Sequence, residues 1–326
     1  MRFLILRFSA IGDIVLTTPV IRLLRKKFPH ATIDYATKTQ YEICIRHNPY
    51  LDKIYTLSPK QSVFSFVQQL PKYDYVIDLH NNLRTFQIKF LISGKKFSFP
   101  KLNLKKWLYT NLKINLMPNI HIVDRYLSTL KYFDIQNDNQ GLDFFIPQAV
   151  TKKIDCLYPA LPRISIVLSG TYFTKKYPLH HIETLIEKLG EKVVLLGGQT
   201  ESSEGNYLQE RFGSQVLNLC GQLDLLESAA VVNRTEIVIS NDTGLMHIAA
   251  ALKKYVISLW GNTVPEFGMY PYQTEHVILE NRNLSCRPCT KLGYSQCPKK
   301  HFKCMEEIKP QSIVNVVWNY QNKKRL

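Results

Sequence analysis

Two turns that lead from a strand into a helix, each carrying an aspartate, constrain the fold of this chain most. They are Ser9-Ala10-Ile11-Gly12-Asp13 and Ser240-Asn241-Asp242-Thr243-Gly244, each directly behind a short apolar run. Apolar residues at helical spacing follow each turn, in 16–24 and 245–252. Open α/β sheets bind ligands outside the carboxyl ends of their strands. We therefore expect two halves that face one cleft, each contributing an acid.

The length of 326 residues also favours two domains, because single cores rarely grow beyond about 250–300 residues. Strand-like runs alternate with helix-like stretches at 3–6, 32–35, 73–79, 164–168, 193–196, 216–219, 237–239 and 256–259. This alternation is typical of doubly wound parallel sheets. Prolines interrupt the pattern between Pro147 and Pro162. We predict a first domain over 1–155, a second over 156–305, and a C-terminal helix in 306–326 that can pack back on the first domain.

The net charge of +16 calls for an anionic partner: nucleic acid, anionic lipid or a phosphorylated saccharide. Residues 95–113 interleave six lysines with aromatic side chains. This mixture suits a membrane headgroup region or a loop that binds a phosphorylated lipid-linked acceptor, and a solvated loop is an equal alternative. No recognised nucleic-acid module accompanies it, so we expect no nucleic-acid partner. Because no window has the roughly 20 apolar residues of a membrane span, we predict a cytoplasmic protein without a transmembrane anchor.

In the first turn, Gly12 permits a tight bend and Asp13 lies where the free N–H groups and the helix dipole favour a carboxylate. A helix cap is the simpler explanation of Asp13. A dinucleotide site needs G-x-G-x-x-G, of which residues 7–12 supply only Gly12, and the chain has no Walker lysine motif. Nicotinamide, flavin and P-loop chemistry are therefore disfavoured.

The second turn opens a helix whose free N–H groups suit a diphosphate. Because its carboxylate would repel an anionic phosphate, Asp242 better suits the hydroxyl groups of a sugar. His247, one turn into the helix, either donates to a phosphate oxygen or is structural. The loop 169–178 adds Lys175 and Lys176 as a phosphate clamp.

Five motifs occur in one order along the chain: the first turn followed by Thr18-Pro19, then Lys175-Lys176-Tyr177-Pro178, Leu196-Gly197-Gly198, Leu219-Cys220-Gly221 and 241–247. In this order they resemble glycosyltransferase family 9, the ADP-heptose:lipopolysaccharide heptosyltransferases and their relatives, over residues 1 to about 305. The resemblance implies an α/β fold of GT-B architecture, with two Rossmann-like domains facing a central cleft. It also implies that the acceptor binds mainly to the N-terminal half and the donor mainly to the C-terminal half.

The resemblance further implies that Asp13 is the general base, Lys175 holds the donor phosphates and Asp242 holds sugar hydroxyls. Further donor-binding residues are then Thr171, Glu201, Leu223, Thr243, Gly244 and His247. We predict an acceptor-binding set of Ser9, Gly12, Arg84, Lys105 and Lys106, the two lysines coming from the basic aromatic segment 95–113.

The reaction implied is an inverting transfer of heptose, from ADP-heptose, to a lipopolysaccharide-core or related lipid-linked acceptor at the inner membrane, where the enzyme associates peripherally. The chain has no DxD pair of the manganese-binding kind, and we expect catalysis without a metal or other cofactor. Two alternatives stay open: a family member that uses another nucleotide sugar, and a non-catalytic basic binding protein. The segments Gly261-Asn262-Thr263 and 267–272 depart from the family pattern and leave the donor sugar and nucleotide open.

Four cysteines lie close together near the C-terminus, in a C-x-x-C pair followed by two more thiols within twenty residues. In a reducing cytoplasm, stable disulfides are disfavoured. This spacing predicts a structural zinc site formed by Cys286, Cys289, Cys297 and Cys304, with His301 as a spare ligand, and free thiols are the alternative.

Overall fold

The computed structural model describes residues 1–325, with side chains for residues 1–324. The strands are β1 Arg2–Leu6, β2 Thr32–Lys38, β3 Lys53–Leu57, β4 Tyr75–Asp78, β5 Lys95–Ser98, β6 Ile164–Val167, β7 Val193–Leu196, β8 Val216–Asn218, β9 Ile237–Asn241, β10 Tyr255–Trp260 and β11 His276–Glu280. The helices are α1 Ile11–Val15, α2 Thr18–Lys27, α3 Val63–Gln68, α4 Leu83–Leu91, α5 Asn103–Trp107, α6 Ile122–Leu127, α7 Gln148–Leu157, α8 Leu179–Leu189, α9 Ser202–Phe212, α10 Leu225–Arg234, α11 Gly244–Ala251, α12 Lys303–Glu306 and α13 Pro310–Arg325. Short 3-10 turns occur at Thr39–Cys44, Ser128–Phe133, Phe173–Lys175, Gln199–Glu201, Gly213–Gln215 and Pro265–Phe267, and a π turn at Leu108–Leu112.

The chain divides into two compact units. The first consists of Met1–Lys101 and Ile120–Phe145, and the second of Leu102–Asn119 and the chain from Ile146 onward. The domain boundary therefore lies about ten residues before the predicted one, because α7 packs on α10 and buries Ile154 in the core of the second unit. The sequence pattern also did not predict that residues 102–119 belong with the second unit.

The first unit is built on a parallel sheet of order β3-β2-β1-β4-β5. Alternate residues of β1, such as Leu4 and Leu6, join one core with Phe66 of α3 and Ile88 of α4. On the opposite face Phe3 stacks in an aromatic cluster with Phe28, Tyr75 and Phe133. Strand order reverses between β1 and β4, and such a switch point is where α/β sheets bind ligands.

The second unit repeats the scheme in a parallel sheet of order β11-β10-β9-β6-β7-β8, with its reversal between β6 and β9. Successive residues of β7 enter opposite cores, Val193 and Leu195 on one face and Val194 and Leu196 on the other. A sheet covered on both faces requires such continuous apolar strands.

The C-terminal helix α13 belongs to the second unit. It packs on α8 in the second unit and buries Ile313, Val314 and Val317 in the core beneath β6 and β7, and Tyr320 stacks on Tyr255 with ring centroids 4.0 Å apart. The predicted return of this helix to the first domain stays a prediction. The apolar stripe of α13 is used to cover one face of the second sheet.

The eight strand-like runs and the helix predicted in 306–326 are confirmed, with ends shifted by a few residues. The predictions missed β3, β5 and β11, which lie at the edges of the two sheets. Apart from the buried Leu57 of β3, their side chains are half-buried or exposed, so these strands are under less constraint to be apolar throughout than central strands are. In the part of the chain that the structure describes, no helix has both the length and the apolar content needed to cross a bilayer.

Candidate functional site

The turn behind β1 holds Asp13 at the carboxyl edge of the first sheet. Asp13 lies in the first turn of α1, and its Oδ2 accepts a hydrogen bond from the Ala10 backbone N–H at 3.2 Å. Ser9 and Gly12 belong to the same turn, so three of the predicted residues are together. A carboxylate at this position satisfies free N–H groups of the helix and is favoured by the helix dipole.

A buried arginine that the sequence analysis missed fixes this turn. The Nη2 of Arg7 lies 2.7 Å from Oδ1 of Asp13, and its Nε donates to the Ser9 carbonyl at 2.7 Å. Its Nη1 donates to the Leu79 carbonyl at 2.5 Å and to the Tyr126 hydroxyl at 3.0 Å. Burial by itself lowers the pKa of Arg7, but Asp13 and nearby tyrosines more than offset it, and the net pKa is raised. The guanidinium is therefore a permanent cation that holds the Asp13 carboxylate in one orientation.

A histidine from the turn behind β4 lies beside this ion pair. The backbone N–H of Phe8 donates to Nδ1 of His80 at 3.3 Å, so this nitrogen acts as an acceptor. Burial, and then the positive charges of Arg7 and Lys101, lower the pKa of His80 to about 3. His80 is therefore a neutral imidazole at neutral pH. The buried Asp78 shapes its turn by accepting the backbone N–H of His80 at 2.9 Å.

A cavity of about 820 Å³ opens at the carboxyl ends of β2 and β3 and the start of α4. Its walls carry two cations and several amides, namely Lys38, Arg84, Gln40, Gln61, Asn82 and Gln87. Arg84, predicted to bind the acceptor, also lies with its guanidinium carbon 5.8 Å from the centre of the Phe8 ring, next to the Asp13 turn. Amides and cations of this kind suit the hydroxyl and anionic groups of a charged saccharide.

In the second unit, the turns behind β6 and β9 join Lys175 to Asp242. The Lys175 ammonium lies 2.6 Å from Oδ2 of Asp242, and the Thr263 hydroxyl donates to the same oxygen at 3.2 Å. Asp242 directly precedes Thr243, the N-cap of α11. The Thr243 hydroxyl contacts that of Ser240 at 3.2 Å instead of capping the helix. The start of α11 at Gly244 therefore offers backbone N–H groups beside a lysine.

The other predicted donor residues differ in their surroundings. Glu201 is buried and shapes its own turn, because its carboxylate accepts Lys176 at 2.7 Å and the Gly198 N–H at 2.9 Å. His247 is buried on α11, one turn from its start. Thr171 is exposed in the loop behind β6, and Leu223 packs against the core of the second unit.

The loop behind β10 carries a buried amide beside the Lys175–Asp242 pair. Asn262 is 1% exposed, and neither side-chain atom has a hydrogen-bond partner among the described residues. Its neighbour Thr263 contacts Asp242. A buried polar side chain without partners costs stability, which marks the position as functional or strained.

The cysteine segment supplies the residue that fixes this loop. Arg287, within the C-x-x-C pair, donates to the carbonyls of Gly261 at 2.5 Å and Thr263 at 2.9 Å and pairs with Glu280 at 2.9 Å. Lys113 in turn donates to the Pro288 carbonyl at 2.8 Å. The cysteine segment thus holds the loop next to Asp242, a role that its spacing did not reveal.

The four thiols do not form a closed ligand set in this structure. Cys286 Sγ lies 3.9 Å from Nε2 of His301, and the Cys289 thiol donates to the Cys286 carbonyl at 3.2 Å. Burial raises the pKa of Cys289 to about 11 and that of Cys304 to about 12. Within residues 1–325, the side chains of His180, His181 and Glu306 bring three ligand atoms within 4.8 Å of one another. No three of the cysteines in this range do so. The zinc site stays a prediction.

The predicted acceptor residues are divided between the units. Ser9, Gly12 and Arg84 lie in the first, whereas Lys105 and Lys106 lie on α5 in the second. Lys106 stands over the Phe267 ring, with its ammonium 5.7 Å from the ring centre, and Lys105 is exposed.

Comparison with known proteins gives one family. The model of glycosyltransferase family 9 (heptosyltransferase) matches residues 63–301. Lipopolysaccharide heptosyltransferase 1 of Campylobacter coli is 25% identical in an alignment of 352 positions, which includes 97% of this chain and 98% of that protein.

Solved structures agree on the fold. A glycosyltransferase family 9 protein from Veillonella parvula is similar with a TM-score of 0.81 and 22% identity, over 98% of this chain and 96% of that one. The E. coli heptosyltransferase WaaC with ADP-2-deoxy-2-fluoro heptose is similar with a TM-score of 0.71 and 19% identity, over 98% of this chain and 100% of that one. The predicted α/β fold of GT-B architecture, with two Rossmann-like domains, is confirmed.

Proposed function

The chain belongs to glycosyltransferase family 9 and is a glycosyltransferase, and from this premise we propose that it transfers heptose from ADP-heptose to a lipopolysaccharide-core or related lipid-linked acceptor. One observation carries the proposal. Asp13 follows β1 of the first sheet, while Lys175 and Asp242 follow β6 and β9 of the second. These strands form the switch points β1/β4 and β6/β9, where the strand order reverses. These are the positions where α/β sheets bind ligands.

On the acceptor side, Asp13 is the proposed general base. It takes the proton of the acceptor hydroxyl while that oxygen attacks the anomeric carbon of the heptose. Arg7 is proposed to hold the carboxylate in place, since its guanidinium has further bonds to Ser9, Leu79 and Tyr126. Arg84 and the cavity of about 820 Å³ are the proposed acceptor-binding surface, together with Ser9 and Gly12.

On the donor side, the bond between the anomeric carbon and the diphosphate oxygen breaks, and its electron pair leaves with ADP. Lys175 and the N–H groups at the start of α11 stabilise the charge that develops on this leaving group. For that, the Lys175 ammonium turns from Asp242 to a phosphate, and Asp242 accepts sugar hydroxyls. The other residues of the proposed donor site are Thr171, Glu201, Leu223, Thr243, Gly244 and His247.

Single displacement inverts the anomeric centre, and a lysine with a helix start can replace a metal in it. We therefore propose metal-independent catalysis, with any zinc on Cys286, Cys289, Cys297 and Cys304 serving structure only. A peripheral position at the cytoplasmic face of the inner membrane follows from the lipid-linked acceptor. Lys105 and Lys106 are proposed to contact the acceptor from α5.

The test combines donor binding with product analysis. Calorimetry with ADP, ADP-heptose and uridine diphosphate sugars should show binding selective for the adenosine ligands. Incubation with ADP-heptose and heptose-deficient lipopolysaccharide should add one heptose to the acceptor and release ADP. Metal analysis of protein purified without chelator, followed by an assay in chelator, tests the two metal proposals.

Lys175→Ala should weaken ADP binding by about tenfold or more, because a charge-assisted contact to phosphate is lost. The matched control is Lys153→Ala, which removes a lysine from an exposed ion pair with Glu227 of the same unit. Selective binding of a uridine nucleotide would change the donor. No nucleotide binding, with salt-sensitive binding of RNA or DNA, would instead favour a non-catalytic basic protein.

A further inference from the structure

Helix α4 in the first unit is apolar on the face that it turns to solvent. Its inner face buries Thr85 and Ile88, while Leu83, Phe86 and Phe90 on the outer face are 75%, 64% and 82% exposed. Residues at positions i, i+3 and i+7 align along one side of a helix. A helix on the surface of a globular protein normally carries polar residues there. The outer face of α4 is therefore built to contact something other than water.

Helix α3 extends this apolar surface. Phe64 is exposed on α3, and an open groove of about 410 Å³ runs between it and the aromatic side chains of α4. We name this surface the α3–α4 face and define it by Phe64, Leu83, Phe86, Phe90 and Leu91. Contiguous exposed apolar patches of this kind mark interaction sites.

The groove adjoins the polar cavity proposed to bind the acceptor. Val63 and Gln87 line both, and Leu83, at the start of α4, also lines the polar cavity. An apolar surface and a pocket suited to a charged saccharide are thus neighbours on one unit. A lipid-linked saccharide likewise consists of an apolar lipid joined to a polar saccharide.

Charge selects the occupant. Between 58 and 101 the basic residues outnumber the acidic ones, with Lys60, Lys72, Arg84, Lys89, Lys95, Lys96 and Lys101 against Asp74 and Asp78. Asp78 is buried and already pairs with Lys89 at 2.8 Å, and Lys60, Lys72, Lys95 and Lys96 are exposed. In the sequence these basic residues flank the aromatic residues of α3 and α4, and such a composition fits the boundary between headgroups and acyl chains of an anionic membrane. A second copy of the chain would bring the same positive charge against itself, which opposes association.

We propose that the α3–α4 face docks on the anionic lipid surface, with Phe64, Phe86 and Phe90 entering the interface and the flanking lysines meeting lipid phosphates. Docking in this way brings the neighbouring cavity to the level of the acceptor saccharide, a consequence that rests on the proposed function. The sequence predicted the membrane contact in residues 95–113, whereas this proposal assigns it to α3, α4 and the nearby basic residues. Lys95 and Lys96 belong to both.

The test is flotation of the full chain with vesicles of phosphatidylcholine alone and of phosphatidylcholine with phosphatidylglycerol. The protein should float with the anionic vesicles and less with the neutral ones, and salt should weaken the binding. Phe86→Ser combined with Phe90→Ser should reduce binding to anionic vesicles by about tenfold or more, because two interfacial anchors are lost. Both side chains are exposed, so the melting temperature should stay unchanged.

The matched control is Trp107→Ser combined with Leu112→Ser, which removes two exposed apolar residues from the segment 102–119. It should leave vesicle binding unchanged. Loss of binding in this control and not in the Phe86/Phe90 variant would overturn the proposal and favour the segment predicted from the sequence. Dimerisation that the Phe86/Phe90 variant abolishes, seen by analytical ultracentrifugation, would overturn it in favour of a second copy.

Activity separates this proposal from the proposed function. With heptose-deficient lipopolysaccharide in vesicles, the Phe86/Phe90 variant should show a raised KM, whereas transfer to the delipidated oligosaccharide should be unchanged. Vesicle binding that depends on Phe86 and Phe90 without any heptosyl transfer would support the docking surface and contradict the proposed function. Heptosyl transfer by the Phe86/Phe90 variant, with vesicle binding equal to that of the parent, would support the proposed function and contradict the docking surface.

Discussion

The two units hold their aspartates with different cations, and the difference indicates what each pair can do. In the first unit the buried guanidinium of Arg7 makes bonds to Asp13, Ser9, Leu79 and Tyr126, so it cannot move without breaking the turn. In the second, the Lys175 ammonium contacts both the side chain and the carbonyl of Asp242 and makes no other hydrogen bond or ion pair within residues 1–325. A fixed guanidinium positions a carboxylate, whereas a flexible ammonium can exchange it for a phosphate.

The largest effect is expected from removing the charge of Asp13. Asp13→Asn keeps the shape of the side chain but cannot take a proton, so kcat should fall about 10²–10⁴-fold with the affinity for ADP unchanged. Steady-state kinetics and calorimetry measure the two quantities. Asp52→Asn, which alters another Arg–Asp pair of the first unit, is the control and should keep kcat. Full turnover by Asp13→Asn would remove this residue from the mechanism.

Exchanging the cations tests the comparison directly. Arg7→Lys loses the planar set of donors in a buried site, and its free energy of unfolding should fall by about 2–3 kcal/mol. Lys175→Arg should leave stability nearly unchanged, because the site is partly open, and should weaken ADP binding instead. Chemical denaturation and calorimetry distinguish these outcomes. Equal losses of stability in both variants would mean that the two pairs have the same structural role.

The burial of His80, together with the nearby charge of Arg7, should also make the first unit sensitive to acid. The pKa of His80 is about 3 in the folded protein and near 6.5 when unfolded, so the unfolded state binds the proton first as the pH falls. Stability should therefore decline between pH 6.5 and about 3, by about 2 kcal/mol at pH 5.

His80→Asn, which keeps an acceptor for the Phe8 N–H, should remove most of this pH dependence in denaturation curves at pH 7 and pH 5. The exposed His47 provides the control, because His47→Asn should leave the curves as they are. An unchanged pH dependence in His80→Asn would show that other groups cause the loss of stability.

The smallest expected effect concerns the buried amide beside Asp242. Asn262→Leu removes a polar group that has no partner in the described structure, so stability should rise by about 1 kcal/mol. If the amide meets the donor, the affinity for ADP-heptose should fall at the same time. The matched control is Asn241→Leu, which should lose stability because that amide bonds to the Tyr177 N–H and the Ser169 carbonyl. A loss of stability in Asn262→Leu with unchanged donor affinity would contradict the prediction.

The amino-acid pattern was enough to predict the class of fold, the central strands and the turns that carry Asp13 and Asp242. Strand and helix periodicities are local, and central parallel strands must be apolar throughout because both their faces are buried. The order of the five motifs predicted the family, and the match to the family model confirms it, with a similar fold in a solved family member. Edge strands such as β5 were missed because their exposed residues lack this signal.

The contacts of these residues depend on the folded structure. Arg7 directly after β1 and Arg287 between two cysteines carry no local sign of their contacts, because Leu79 lies 72 residues from Arg7 and Gly261 lies 26 residues from Arg287. The packing of α13 on α8 and of residues 102–119 in the second unit likewise depends on which apolar faces remain to be covered. Even the outer face of α4 became informative only when its inner residues were seen to be buried, because a periodic pattern does not tell which side meets solvent.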